Sequence, residues 1–300
     1  MHILVLSRNA NLYSTSRLVE AIEEAGHIAT VLDHMDFEIV NKQDGPRLFY
    51  RGVKVEKVDA VIPRIGASVT YYGSAVVRQF EMMGVFTAIT SQALITSRDK
   101  LHSLQRLSAA GVDIPKTAFT NFSEEVGRNI ASVGGAPLII KLLESTQGVG
   151  VMLAPNYQAA ESIIQAFHST KSRIIVQEFI EEAKGEDIRA FIVDGRVVGA
   201  MKRRGKAGEF RSNLHRGSTG EAIQLTQKEK NAAITAADEM ELSVAGVDLL
   251  QSNRGPLVLE VNSSPGLQGI EKATKIDIAG KIVSFIEHKV DDTHSDRCKL

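Results

Sequence analysis

Cysteine is nearly missing from this chain. The only one, Cys298, sits in a polar C-terminal stretch, which excludes an internal disulfide and a cysteine metal cage and fits a reducing cytoplasm. Long apolar runs are missing too. Nothing approaches the roughly 18 residues that a membrane span requires, and no basic leader precedes Ile3-Leu4-Val5-Leu6, so neither secretion nor insertion is expected. Excess charge is a third absence: 35 basic and 36 acidic side chains leave a net charge of −1, which gives no general attraction to nucleic acid. Glycine is missing where a dinucleotide-binding protein requires it. The turn after the first hydrophobic run reads Ser7-Arg8-Asn9-Ala10-Asn11, which demotes a dehydrogenase.

What is present is an ordinary globular composition, 43% hydrophobic and 24% charged over 300 residues, enough for two or three packed subdomains. Residues 1–95 alternate β-branched runs with helical periods, a βαβ pattern that predicts a parallel sheet. A helix is predicted from Ser97 to Ala110, stopped by Gly111 and Pro115, and a domain boundary is placed in this region. From Pro137 the pattern changes to strands joined by tight turns. One hairpin pairs Ile188–Val193 with Arg196–Met201 about Asp194-Gly195, and a second pairs Val244–Leu250 with Pro256–Val261 about Asn253-Arg254-Gly255. After about Lys289 a polar, frayed tail is expected.

Centring the second hairpin on Arg254 sets Asp248 opposite Glu260, with Asn262 on the same face by the period of two. Like charges there repel unless a cation lies between them. An all-oxygen set of Asp, Glu and Asn suits a hard cation such as Mg²⁺ or Mn²⁺; the plain alternative is a solvent-facing pair on a surface hairpin. Lys141 interrupts the apolar strand 138–143 just before Gln147-Gly148-Val149-Gly150. Glycines at 148 and 150 let backbone N–H groups approach phosphates while the lysine supplies a point charge, unless this is only a tight turn beside a snorkelling lysine. Gln177-Glu178-Phe179 ends a buried-looking strand whose free edge suits adenine, and Asp187 suits ribose hydroxyls. Counting from Asp194-Gly195 also sets Asp187 opposite Lys202, as a cross-strand ion pair. Seven basic or histidine side chains between Lys202 and Arg216, interleaved with glycines, suit a lid over a polyanion or a basic surface loop; no aromatic ladder accompanies them.

Taken in order, Arg98-Asp99-Lys100, Lys141 with Gln147-Gly148-Val149-Gly150, Gln177-Glu178-Phe179, Asp187, Arg203, Asp248 and Glu260-Val261-Asn262 resemble the ATP-grasp superfamily. Val61 to Gly66, Arg211 to Gly217 and Asn262 to Leu267 look like the RimK-type alpha-L-glutamate ligases, a likeness running from Ile3 to about His288. The resemblance implies an α/β protein with an ATP-grasp fold behind an N-terminal Rossmann-like, pre-ATP-grasp parallel-sheet domain. The expected divisions are 1–95 for that domain, 96–187 for a central subdomain with the glycine loop, 188–290 for a C-terminal subdomain with the metal site, and 291–300 for a flexible tail.

The activity implied is ATP-dependent ligation through an acyl phosphate, adding L-glutamate to the C-terminus of ribosomal small-subunit protein six and making short glutamate chains. Joining glutamate or another amino acid to a different small-molecule or carrier-protein carboxylate is the alternative. A cytoplasmic homo-oligomer, a tetramer, is implied as well. Carried over by position, Lys100 and Lys141 contact the ATP phosphates, Glu178 and Phe179 hold adenine, Asp187 takes the ribose, and Arg211, Ser212 and Asn213 line the nucleotide. Asp248, Glu260 and Asn262 hold two Mg²⁺ or Mn²⁺ ions, and Arg203, with Lys141, is catalytic, steadying the transferring phosphoryl group. Ser218 and Ser263 stand where the family has glycine and alanine, and neither departure removes a ligand. The complete metal set argues against a regulator that only senses the nucleotide.

Overall fold

Ile3 to Leu6 are buried side by side, as a strand covered on both faces must be, and this run is a central strand of a parallel sheet. The computed structural model describes residues 1–55, 57–119, 126–143, 150–205 and 219–297, with side chains described through residue 292. The sheet is formed by β1 (His2–Leu6), β2 (Ile28–Leu32), and two later strands after an excursion. Helix α1 (Tyr13–Glu24) makes the first crossover. It turns Leu18, Ala21 and Ile22 inward and ends at Gly26, whose φ of +79° suits a residue without a side chain. The excursion, unforeseen in the sequence, is an antiparallel meander of β3 (Phe37–Lys42), β4 (Gly45–Tyr50) and β5 (Val53–Lys54). The chain returns through β6 (Ala60–Pro63), α2 (Thr70–Met82) and β7 (Phe86–Thr87) to complete the order β2-β1-β6-β7.

The single helix predicted over 97–110 is two helices, α3 (Ser91–Arg98) and α4 (Lys100–Ala109). Asp99 breaks them apart. Its carboxylate accepts the N–H groups of Leu101 and His102, each at 3.0 Å, so it caps α4 rather than continuing α3.

A second sheet follows: β8 (Thr117–Phe119), α5 (Val126–Ser132), β9 (Leu138–Leu142), β10 (Val151–Ala154), α6 (Tyr157–Ser169) and β11 (Ile174–Glu178), with strand order β10-β9-β11-β8. Its separate small core gathers Ile130, Leu138, Ile140, Ile164 and Val176. The third sheet carries most of the candidate site: β12 (Glu186–Val193), β13 (Arg196–Arg204), β14 (Thr219–Ala222) and, after α7 (Gln227–Glu239), β15 (Val244–Ser252) and β16 (Gly255–Asn262). The order β14-β13-β12-β15-β16 is antiparallel throughout. Ile188, Ala190, Val247, Leu249 and Val261 lie in the same core as Ala233 and Ala237 of α7.

After α8 (Gln268–Thr274), helix α9 (Ile278–Arg297) returns to pack on α1, with Phe285 edge-on to Phe86 at 5.9 Å between ring centroids. The helix continues to Arg297, so 291–297 has helical backbone where the sequence suggested a frayed tail. Among the described residues no helix is long and apolar enough to cross a membrane.

Candidate active site

Two one-residue irregularities decide which side chains share a face of the third sheet. At the turn, Ser252 pairs with Gly255, so the hairpin closes on two residues and a regular ladder would set Asp248 against Leu259. The register shifts between Asp248 and Leu249 instead. Leu249 still faces Val258, but Asp248 faces Glu260, which brings that carboxylate to the face it would otherwise leave. The pairing is the one expected from the sequence, reached by a shorter turn plus a bulge. In the other hairpin the bulge changes the partner. Phe191 pairs with Gly199 and Ile192 with Val197, so Asp187 lies opposite Arg203, not opposite Lys202 as turn-counting gives.

Strand alternation then collects Asp187, Arg189, Arg203, Asp248, Glu260 and Asn262 on one face. Arg189, overlooked in the sequence, pairs in register with Asp248 and grips it through two bonds, Nε to Oδ1 at 2.5 Å and Nη2 to Oδ2 at 2.6 Å. Arg203 links the two aspartates: it holds both oxygens of Asp187 at 2.6 Å and reaches Oδ2 of Asp248 at 2.9 Å. These groups are deeply buried, with Asp248 2%, Arg203 4% and Asp187 5% exposed. Burial by itself would raise the Asp248 carboxyl, but Arg189 and Arg203 more than offset it and hold it well below the usual carboxylate range. Burial likewise disfavours the Arg203 charge, and Asp248 and Asp187 outweigh it.

Glu260 is different. The residue is exposed, and its carboxyl is raised above the ordinary value by desolvation first and then by Asp248. The Asn262 amide donates to Oε1 at 3.1 Å and to the Gly246 carbonyl at 3.3 Å. Among the described residues no group of three or more His, Cys, Asp or Glu assembles, so the donor set here is two carboxylates and an amide. The chemistry fits a hard cation. Glu260 is a carboxylate short of positive partners, and Asp248, with three arginine bonds on about four lone-pair positions, retains one.

Two lysines from the other elements complete the electrostatics. Lys141, on β9, donates to Oε1 of Gln177 at 2.6 Å; burial pulls its ammonium down to about 8, with Glu260 opposing the shift. Lys100, at the start of α4, donates to the Leu143 carbonyl at 2.8 Å, and its ammonium is also lowered by burial and raised by Glu260. Two sheets and a helix thus converge: Lys141 of β9 and Lys100 of α4 both feel the carboxylate of β16.

Family models match the chain along nearly its whole length, a RimK PreATP-grasp domain over residues 1–94 and a RimK-like ATP-grasp domain over residues 97–286. The chain belongs to the RimK-like ATP-grasp family. It is an ATP-dependent ligase. Proteins named "Probable alpha-L-glutamate ligase" from Hydrogenovibrio crunogenus and Vibrio vulnificus are 54% and 55% identical over 287 residues, covering 96% of this chain and 95% of theirs. Among solved structures, the ATP-grasp ligase PsnB complexed with a minimal precursor superposes with a TM-score of 0.76 at 22% identity, covering 95% of this chain and 98% of that one. D-alanine–D-alanine ligase from Bacillus anthracis does so with a TM-score of 0.70 at 17% identity, covering 99% of each chain. At those identities the likeness speaks for the α/β ATP-grasp fold.

The remaining family positions in this RimK-like chain are placed less simply. Glu178 turns its carboxylate to the Lys116 N–H at 2.7 Å and to the Arg254 guanidinium, so any hold on a base at the end of β11 falls to main-chain groups around Phe179. Asp187 is paired through both of its oxygens with Arg203. Arg203 gives Nε and Nη2 to the two aspartates, which fixes both acids in direction. Gly150 has φ +68°, and a Cβ there would lie 2.6 Å from Cδ1 of Leu142, so position 150, just before β10, requires glycine. Gly148, Arg211, Ser212 and Asn213 lie outside the described residues. Arg189 was legible in principle: it alternates with Asp187, and the strand pairing that joins it to Asp248 needed only the order of the sheet.

Proposed function

We propose that this chain activates the C-terminal carboxylate of ribosomal small-subunit protein six as an acyl phosphate, using ATP, and joins it to the amine of L-glutamate, with short glutamate chains as a further product. The observation that carries the chemistry is the Asp248–Glu260 pair on one sheet face, with Lys100 and Lys141 within electrostatic reach of Glu260. The choice of glutamate is supported by the names of relatives about half identical over 96% of the chain. In this reading 1–95 is the pre-ATP-grasp domain, 96–187 and 188–290 are the two halves of the grasp, and the protein works in the cytoplasm as a homo-oligomer, a tetramer.

A carboxylate is a poor electrophile because oxide would have to leave; phosphorylation gives a mixed anhydride from which an amine expels phosphate. Asp248, Glu260 and Asn262 would hold two divalent cations, Mg²⁺ or Mn²⁺, which when bound supply neutralisation of phosphate charge. Lys100 and Lys141 bind phosphate oxygens, the Gly148 and Gly150 main chain approaches the same group, and Arg211, Ser212 and Asn213 line the nucleotide. Arg189 and Arg203 hold Asp248 ionised and fixed in direction, so this ligand is preorganised. Of the basic segment expected to act as a lid, residues 206–216 lie outside the described residues.

The test is to incubate the protein with ATP, Mg²⁺, L-glutamate and candidate acceptors and to weigh the acceptors. Glutamyl additions to the ribosomal protein support the reading. Additions confined to a small molecule or a carrier protein replace it with the alternative acceptor class, a reading favoured only by the variety of ligases that share this fold.

Lys141 gives a pH signature. The ammonium must be charged to hold a phosphate, but in the free protein its value is about 8, so the charged form is lost as pH rises through that point. Bound phosphate raises the value, and binding therefore takes up a proton above pH 8. Nucleotide affinity is expected to fall by up to about tenfold per pH unit above 8, and Lys141→Arg should flatten the profile. Calorimetry in buffers of different ionisation heat measures the proton uptake; its absence would remove Lys141 from the phosphate site.

A further inference from the structure

Two guanidinium groups beside the carboxylates have no acid of their own. Arg64, just after β6, donates Nη2 to the Pro265 carbonyl at 2.8 Å, and Arg98, the last residue of α3, donates Nη2 to the Ile65 carbonyl at 2.7 Å. Neither forms an ion pair among the described residues. The buried Nε of Arg98 has no hydrogen-bond partner, nor do the buried hydroxyls of Ser263 and Ser264, in the loop that Arg64 grips. Burial pulls Arg64 down to about 10, with Arg98 adding to the shift, and burial likewise lowers Arg98 while Glu260 opposes it. A carbonyl supplies a dipole but no countercharge, so two neighbouring guanidiniums and three orphaned donors describe a site that lacks an anion.

The census of charge narrows which anion. Asp187 and Asp248 are matched by Arg203 and Arg189, and Lys100 and Lys141 face Glu260 from the phosphate side of the proposed nucleotide. Arg64 and Arg98 remain, on the side of the N-terminal domain and beyond the loop that follows Asn262. Forked guanidinium groups match carboxylates in plane, two bonds at a time. The incoming amino acid brings two carboxylates to this centre. Its amine must also be neutral to attack, and nearby positive charge lowers the amine's proton affinity.

We propose that Arg64 and Arg98 form the pocket for the carboxylates of the incoming glutamate, with the Ser263 and Ser264 hydroxyls as further donors. This rests on the glutamate reading above. The pocket selects a dicarboxylate because both guanidiniums require a partner; glutamine leaves one of them unpaired in a buried place. It also explains why the N-terminal domain contributes to the site at all, since Arg64 bonds directly to the loop that follows the metal-binding strand.

The experiment is calorimetric titration of the full chain, with Mg²⁺ and ADP present, using L-glutamate and then L-glutamine. Arg98→Gln and Arg64→Lys are mild enough to keep the fold, and ADP affinity is the control for it. The expected result is glutamate affinity reduced about tenfold or more in each variant, a narrowed preference for glutamate over glutamine, and ADP affinity within about twofold of the parent. Unchanged glutamate affinity in both variants overturns the pocket. So does a loss shared equally by glutamate, glutamine and ADP, which marks a structural role. If the parent protein binds no glutamate at all, the glutamate reading itself falls, and the pocket with it.

Discussion

Replacing Glu260 by glutamine is expected to reduce ligase turnover in magnesium by at least about a hundredfold, the scale seen when a preorganised charge at a reacting phosphate or metal is removed. The substitution keeps shape and removes charge. Stability should not suffer. The Glu260 carboxyl is raised in the folded protein by burial and by Asp248, so above the ordinary carboxylate range its ionisation opposes folding, and the penalty grows as pH rises through that range. Glutamine carries no such penalty, and at neutral pH the variant should unfold at an equal or higher denaturant concentration than the parent. Measuring ADP release and the urea midpoint on the same sample separates the two effects. Near-normal product formation by the variant would remove Glu260 from the metal site.

Arg203→Ala is expected to act on the fold, at about 3–5 kcal/mol, as breaking a buried ion pair does by leaving charge uncompensated. Arg203 is 4% exposed and is shared by two buried carboxylates. Its loss also changes the response to acid. The Asp248 carboxyl is held below its ordinary range in part by Arg203, so that contribution to stability is complete above the ordinary range and is lost as pH falls below it. With Arg203 gone the parent's fall in stability at low pH should be shallower in the variant. Denaturant unfolding at pH 7 and at about pH 2–3, below the ordinary carboxylate value, measures both. Parent-like stability together with a loss confined to kcat would instead return Arg203 to the transferring phosphoryl group, the role that family resemblance implies.

The parallel sheet was legible in the sequence because its strands are continuous apolar runs separated by amphipathic helices. The meander over Phe37 to Lys54 was not, since charged, glycine and proline residues interrupt its alternation. Asp99 gave the helix break in principle: aspartate between two helical runs is a cap, and apolar periodicity hid it. The candidate site was legible in its residue types and order, but its geometry depends on two bulges that counting from a turn cannot see. One bulge happened to cancel a wrong assumption about the turn and left Asp248 opposite Glu260. The other changed the partner of Asp187 from an exposed-type lysine to a buried arginine, and with it the part Arg203 plays. The two acids are reconciled in part without a metal ion, because Arg189 already neutralises Asp248. Glu260 is the carboxylate that still needs a cation.

The most direct test of the central claim, that this site transfers a phosphoryl group to a carboxylate before an amine attacks, is an isotope experiment. The acceptor carboxylate is labelled with oxygen-18, and the inorganic phosphate released with ATP, Mg²⁺ and L-glutamate is weighed. One labelled oxygen in the phosphate for every bond formed is the expected result. Unlabelled phosphate released in step with product would contradict the acyl phosphate, and with it the chemistry assigned to Asp248, Glu260 and Lys141.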